Sequence, residues 1–518
     1  MAPRFHNTLT GTLEVLEPIE PDHVKIYSCG PTVYERAHIG NFRTFVWEDL
    51  LHRYLKLRGF RVTQVMNLTD VDDRTISAAI EQGKTLEEIT RPVEQQFFED
   101  WKALGLEPME HYPRATEHVD AMIELVRRLE DRGLTYDRDG SVYFAIGRYP
   151  EYGRLVGLDA CDLASSGRVE GDEEYSKENP RDFVLWKGGE REESDVALWE
   201  SPWGPGRPGW HLECSAMSME YLGDSFDIHT GGVDNIFPHH TNEMAQSEGA
   251  TGRSFARFWL HAEHLLIDGG KMSKSLGNYY TIPDLLELGH RPSAIRYLLL
   301  SAHYRTQLNF TLEGLVKADR ALERLEEFQR RLRSAQPLEA PAESAADPPA
   351  PPAAASPEAP AEPSASPGVE PDRVSIRELA RRAHAEFISA MDEDLSVSDA
   401  IASVFTMVRE VNRELDRVGD RLTTDDAESA LSLLREFDAV FGVLSLRGGE
   451  RGDADPALVA WMDERIAARQ AAREARDYGC ADAIRREIEE RGIVIEDTPG
   501  GTRWKPVGEA VSAVDTAD

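Results

Sequence analysis

The chain has 518 residues, 41% apolar and 29% charged, enough for about three ordinary soluble domains. Its 93 acidic residues outweigh 58 basic ones, only ten of them lysine, for a formal charge of −35. No apolar run nears the roughly 18 residues of a membrane helix, no apolar segment follows the N-terminal Met-Ala-Pro-Arg-Phe-His, and four cysteines are too few for a disulfide framework. A cytoplasmic protein with reduced thiols and no membrane partner is expected. The acidic, lysine-poor composition reads as adaptation to a salt-rich, halophilic cytoplasm, where a Debye length of about 3 Å screens self-repulsion. A moderately acidic mesophilic protein is the alternative. Acidity does not exclude nucleic acid, because high salt removes most of the counterion-release gain.

In chain order, residues 24–29 form a short buried strand that ends at Gly30-Pro31. A helix starts near Gly40, with Phe42, Phe45, Val46, Leu50, Tyr54 and Leu55 on one apolar face, and stops at Gly59. A strand at 62–66 completes a βαβ unit, hence a parallel sheet. Residues from about 75 to 135 are mostly helical, 141–146 form a strand, and 147–209 show no regular pattern. The Ala-, Pro-, Glu- and Ser-rich stretch 334–372 buries too little apolar area to offset its ordering entropy and is expected to be a disordered insertion. Helices around 375–392, 398–418 and 426–445 have bundle periodicity, as in Ile401, Val404, Phe405, Val408, Val411 and Leu415. Residues 456–492 continue as helix, and 493–505 form a hairpin-like terminus.

Three constellations carry chemistry. Ala37-His38-Ile39-Gly40-Asn41 lies between a strand and a helix start, where free N–H groups and the helix dipole favour a phosphate. Gly40 permits close approach, and His38 and Asn41 can donate to phosphate oxygens; a histidine there can equally be a helix cap. Lys271-Met272-Ser273-Lys274-Ser275, flanked by glycines, suits a mobile clamp on a polyphosphate, or else a solvated basic loop. Cys29, Cys214, His239 and Glu243 make a zinc-type donor set if a helix starts at Pro238, which puts His239 and Glu243 on one face. Nothing local links Cys29 to Cys214, and lone cysteines also serve as small core residues.

The first two segments resemble the HIGH and KMSKS signatures of class I aminoacyl-tRNA synthetases, with Asn41 where the last histidine would stand. Pro31-Thr32-Val33-Tyr34, Asn67-Leu68-Thr69-Asp70-Val71-Asp72-Asp73, Arg181 to Lys187, Gly209 to Met217, Asp227-Ile228-His229, Phe237 to His240 and Glu496 to Trp504 are similar to cysteinyl-tRNA synthetase sequence. The resemblance implies a Rossmann-type α/β catalytic domain over 1–285 with a connective insertion within about 100–205. It further implies stem-contact helices at 286–333, an all-α bundle at 373–455 and a small anticodon-binding region at 456–518. It makes Cys29, Cys214, His239 and Glu243 the ligands of one Zn²⁺ that binds the substrate sulfur. His38, Asn41, Lys271 and Lys274 become catalytic; His38, Gly40, Asn41 and Lys274 bind ATP with Mg²⁺. Gly30, Thr69, Trp210 and His229 surround bound L-cysteine. Asp497 and Trp504 contact the unpaired bases of tRNA(Cys), and the enzyme is a monomer. Cys161 and Cys480 have no such context and are structural. Two other readings stay open: a cysteine ligase of small-thiol biosynthesis, which has no anticodon to read, and a non-catalytic zinc protein that binds RNA.

Overall fold

The computed structural model describes residues 2–157, 181–189, 196–274, 277–337, 375–419, 421–452, 456–475, 477–498 and 501–506. It divides into Met1–Leu446 and Arg447–Asp518. The first unit is organised by four parallel strands: β3 (His23–Ser28), β4 (Arg61–Met66), β9 (Phe226–Gly232) and β10 (Ala256–Ala262). Their order is β10-β9-β3-β4. Helix α1 (Ile39–Leu57) links β3 to β4, as the βαβ pattern requires. A short hairpin, β1 (Arg4–Asn7) with β2 (Thr12–Val15), precedes the sheet. The backbone N–H of Thr8, at its turn, donates to the Trp259 carbonyl (2.9 Å).

All six apolar residues expected on one face of α1 are buried, but so are Arg43, Glu48, Asp49 and His52. The helix is enclosed around most of its surface, with Lys56 left exposed, so its buried polar groups need internal partners. Arg43 donates to the carbonyls of Ala302 and His303 (both 2.9 Å), and Asp49 pairs with the buried Arg296. Glu48 ends a buried polar chain that crosses three strands. His52 Nδ1 lies 2.9 Å from Gln64 Oε1, Gln64 Nε2 donates to Ser28 Oγ (2.8 Å), and Ser28 Oγ lies 2.8 Å from Thr230 Oγ1. The Thr230 hydroxyl donates to Glu48 (2.6 Å). Burial pushes the Glu48 carboxyl up to about 8. A folded-state value above the unfolded one, roughly 4.3, means that folding loses stability as pH rises from there to about 8. Glu48→Gln removes that dependence, so its gain in thermal midpoint over the parent should be larger at pH 8 than at pH 5. A pH-independent difference would show that Glu48 is ionised in the fold.

Between β4 and β9 the chain forms α2 (Asp73–Gln82), α3 (Leu86–Ala103) and α4 (Val119–Asp131), then an antiparallel sheet. Its strands are β5 (Thr135–Arg138), β6 (Ser141–Phe144), β7 (Phe183–Gly188) and β8 (Gly206–Pro208), in that order. Strands β5, β6 and β7 lie within the expected insertion, and β8 falls just past its expected end. His111 and Arg114 instead bridge to Val65 and Leu68, so the residues before β5 still run along the parallel sheet. Regular structure within 147–209 includes β7, β8 and a 3-10 turn at Arg154–Val156; residues 158–180, including Cys161, and 190–195 lie outside the described residues.

Helix α5 (Trp210–Leu222) leads into β9, and α6 (Thr241–Thr251) links β9 to β10. Strands β11 (Leu265–Ile267), β12 (Gly270–Lys271) and β13 (Leu308–Phe310) make a small sheet beside α7 (Ile282–Glu287) and α8 (Pro292–Leu300). Helix α9 (Leu312–Ser334) is followed by β14 (Gln336–Pro337), which pairs with β15 (Arg421–Leu422). The first four residues of the expected disordered insertion are therefore ordered: Ser334 ends a helix, and Gln336–Pro337 find a strand partner. Residues 338–374 lie outside the described residues. The bundle follows as α10 (Ile376–Asp392), α11 (Val397–Val418) and α12 (Thr424–Phe441), close to the expected bounds. Val404, Val408, Val411 and Leu415 are buried; Ile401 and Phe405 are half-buried at its edge.

Helix α13 (Val443–Gly452) carries the chain into the second unit. There α14 (Pro456–Glu474) and α15 (Tyr478–Glu490) pack on a hairpin of β16 (Ile493–Thr498) and β17 (Gly501–Pro506). Met462, Ile484, Ile488, Ile493 and Ile495 form its core. Asp497 lies opposite Thr502, and Trp504 opposite Ile495. Cys480 is exposed in α15.

Candidate active site and metal centre

In an open parallel sheet, ligands bind at the C-terminal strand ends where the strand order reverses. Here that point lies between β3 and β9, because the chain leaves β3 toward β4 on one side and β9 toward β10 on the other. Cys29 immediately follows β3, and its N–H donates to Thr230 in β9 (3.2 Å). Gly30 donates its N–H to Asn67 Oδ1 (2.8 Å). A Cβ at Gly30 would stand 1.7 Å from the Asn67 carbonyl oxygen, so no other residue fits without moving a strand end. The Asn67 amide also donates to Thr69 Oγ1 (3.1 Å), whose hydroxyl donates to the buried Glu213 (3.1 Å).

Helix α5, ahead of β9, and the segment that follows β9 bring three further donors to Cys29. The Sγ atoms of Cys29 and Cys214, a ring nitrogen of His239 and a carboxylate oxygen of Glu243 all lie within 4.8 Å of one another. Four ligands of a tetrahedral zinc, with bonds of about 2.0–2.3 Å, stand roughly 3.3–3.8 Å apart. Small inward shifts therefore bring the set to coordination distance. Two sulfurs with one imidazole and one carboxylate suit zinc rather than magnesium or calcium. His239 Nε2 is 3.0 Å from Glu243 Oε1. The four-residue spacing works, although its geometry differs from the expectation. Phe237–Pro238 is cis, residues 236–240 form a single π turn, and α6 proper starts at Thr241.

Burial sets the proton states. It pushes the Cys29 thiol and the Glu243 carboxyl well above their ordinary values; the hydrogen bond from Cys29 holds the Cys214 thiol down, but burial and the nearby Glu243 still leave it raised. Burial pushes His211, His229 and His261 down to about 3, and His239 and His240 well below the ordinary imidazole value, so the five imidazoles are neutral. A neutral imidazole has the free lone pair that a cation needs, and a bound cation would draw the thiols into their thiolate form. His239 Nδ1 lies 2.9 Å from His211 Nδ1, a bond that leaves Nε2 for the cluster. Trp210 stacks on His239 (4.4 Å, 25°) and remains 47% exposed, so it faces the open side. His229 has the opposite placement. It is wholly buried, stacks on Trp259 (4.7 Å), and its Nε2 is 2.9 Å from Glu243 Oε2. It stands directly beside one of the four donors.

The two signature segments meet. The His38 N-cap bridges to Thr281, and the Ile39 N–H donates to the Tyr280 carbonyl (3.0 Å). His38 and Asn41 cap each other: Asn41 N–H donates to His38 Nδ1 (3.2 Å), and His38 N–H donates to Asn41 Oδ1 (3.0 Å). The cap reading and the phosphate reading are thus compatible. With Nδ1 accepting, the neutral ring carries its proton on Nε2, and Asn41 keeps its amide N–H₂ for a ligand. Partial burial lowers the His38 pKa, which favours that neutral form. A Cβ at Gly40 would stand 2.9 Å from His38 Cε1 and 3.2 Å from Met272 Cε, so glycine admits the ring and the second segment together. Asn278 ties that segment, donating to the Lys271 carbonyl (3.1 Å) and accepting from Ser273 N–H (2.8 Å). Lys271 is exposed in β12; Lys274 pairs with Glu35. Ser275 and Leu276 lie outside the described residues.

Residues 15–320 match the family described as tRNA synthetases class I (C) catalytic domain. A cysteine–tRNA ligase from Protochlamydia amoebophila is 44% identical over 505 residues, 97% of each chain. The chain belongs to the cysteine–tRNA ligases. Another such ligase, from Solibacter usitatus, is 44% identical over 98% of this chain and all of its own. Residues 386–445 match the DALR domain, and 455–504 match the cysteinyl-tRNA ligase anticodon binding domain. The last match favours a tRNA ligase over a small-thiol ligase and over a non-catalytic RNA-binding protein. Among solved structures, Mycobacterium tuberculosis methionyl-tRNA synthetase in complex with methionyl-adenylate superposes with a TM-score of 0.54 at 15% identity, over 81% of this chain and 89% of that one. That likeness is one of fold, the class I Rossmann-like architecture.

The sequence reading missed the shell around the donors in this cysteine–tRNA ligase. His240 Nε2 is 3.2 Å from Cys29 Sγ, its Nδ1 is 2.8 Å from His261 Nε2, and His261 Nδ1 is 2.8 Å from Thr8 Oγ1. Cys29, His229, His240 and Glu243 form a second, overlapping donor group. The signal was present as adjacent histidines at 239–240 and a third at 261 among apolar strand residues. A buried histidine within an apolar strand needs a polar partner.

Proposed function

We propose that the chain makes cysteinyl-tRNA(Cys) in two steps, with the residues named at the strand switch point as its machinery. The observation that carries this assignment is the buried quartet Cys29, Cys214, His239 and Glu243, set on the strand end from which the chain runs into the nucleotide-binding helix. These four would hold Zn²⁺. When bound, that ion would supply a soft acceptor for the substrate thiolate, a bond that serine cannot match. Trp210 closes over the cysteine, Gly30 and Thr69 bound it, and His229 acts through Glu243.

ATP enters with Mg²⁺ at the start of α1. His38 Nε2–H and the Asn41 amide donate to phosphate oxygens, and Gly40 admits the nucleotide. The cysteine carboxylate attacks the α-phosphate in line; Lys271 and Lys274 stabilise the charge that develops as pyrophosphate leaves. The terminal ribose hydroxyl of the tRNA then attacks the adenylate carbonyl and releases AMP. Residues 286–333 and the bundle contact the tRNA stem, while 456–518, through Asp497 and Trp504, meet the anticodon. The enzyme works as a cytoplasmic monomer.

A chain ending at Leu446 retains every residue assigned to adenylate formation. It should keep cysteine-dependent ATP–pyrophosphate exchange while tRNA charging falls by at least about tenfold, since one stacked base is worth roughly 1–3 kcal/mol. Equal charging by both chains of transcripts with intact and altered anticodons would remove the anticodon assignment.

A further inference from the structure

We infer that Glu35 is a positioning residue for adenylate formation: its carboxylate holds Lys274 in the place of a phosphate until ATP arrives. The inference rests on the reading that Lys274 acts on the nucleotide phosphates. Lys274 Nζ forms an ion pair with Glu35 Oε2, across 239 residues of sequence. The other oxygen, Oε1, accepts from Tyr34 O–H (2.6 Å), and the Arg74 guanidinium lies 4.7 Å from the centre of the Tyr34 ring. The carboxylate is thus fixed from two sides. The ammonium is fixed as well, 4.9 Å from the centre of Tyr279, which meets His38 edge-on at 5.4 Å. One aromatic ring therefore touches both the lysine of the second signature and the histidine of the first. Glu35 sits three residues before His38, and the first turn of α1 carries no acidic residue of its own.

This arrangement keeps a mobile lysine next to the phosphate site at little cost. A phosphate brings more charge and three acceptor oxygens, so it outcompetes the single carboxylate once ATP is bound. Both partners are partly solvated, Lys274 at 61% and Glu35 at 36% exposure. Releasing such a pair changes an equilibrium by only about twofold to fivefold. Its role is to occupy Lys274 as a weak competitor of the ATP phosphates, not to add stability.

The test is steady-state ATP–pyrophosphate exchange with the full-length chain, its Glu35→Gln and Lys274→Ala variants, and the double variant. The expected result for Glu35→Gln is a rise of about twofold to fivefold in kcat/KM for ATP, with the KM for cysteine and the thermal midpoint unmoved. In the Lys274→Ala background the same change should have no effect on kcat/KM for ATP. A gain that persists without Lys274 would assign Glu35 to plain repulsion of ATP and overturn the proposal. A loss in kcat/KM for ATP, or parallel shifts in cysteine KM and thermal midpoint, would make the residue a structural support and overturn it too. If Lys274→Ala alone leaves exchange at the parent rate, the phosphate reading of Lys274 falls, and this proposal with it.

Discussion

Lys274→Ala should lower kcat for cysteinyl-adenylate formation by about a hundredfold to a thousandfold, equivalent to roughly 3–4 kcal/mol, and leave the KM for cysteine nearly unchanged. The lysine stands next to the His38–Asn41 cap, on a segment bridged to it through Thr281. Its charge matters most as negative charge builds on the departing pyrophosphate. Stability should barely move, because an exposed ion pair of the Lys274–Glu35 type is worth only about 0–1 kcal/mol. A kcat change below about threefold would assign the segment to the surface.

The second large effect is at the metal centre. Cys214→Ser should lose the bound zinc and raise the KM for cysteine by at least about a hundredfold, since thiolate recognition disappears with the metal. The substitution is nearly isosteric at a site only 2% exposed, so the packing of α5 survives it. Cys29→Ser should behave alike, because both sulfurs belong to one donor set. Metal analysis of the purified variants beside cysteine titrations checks the pair. Full zinc occupancy in both serine variants would remove the assignment.

The layout of this enzyme was legible where the chain follows simple periodicities. The 24–29 and 62–66 strands with the helix between them, the three bundle helices and the terminal hairpin all stand within a few residues of their expected places. The donor quartet was legible as residue types, but its assembly was not. Cys29 follows β3 and Cys214 lies in α5, which packs against β3, a long-range contact that leaves no trace in local sequence. The polar chain from His52 to Glu48 was hidden for a related reason. A helix read as having one apolar face is in fact enclosed around most of its surface, so residues that looked solvent-facing became internal. The N-terminal hairpin was hidden by its length, since strands of four residues are too short to establish an alternation. The partner of His229 was not legible either: its Nε2 lies 2.9 Å from Glu243 Oε2, a contact made across the turn that precedes α6.

The central claim is that the Cys29–Cys214–His239–Glu243 centre recognises the substrate by its sulfur. Cobalt exchanged for zinc reports this directly, because each thiolate bound to it adds sulfur-to-metal charge-transfer absorption. The account predicts that absorption from two thiolates in the resting enzyme, a further increase on adding cysteine, and no change on adding serine. An unchanged spectrum with saturating cysteine, or an equal response to serine, would contradict it.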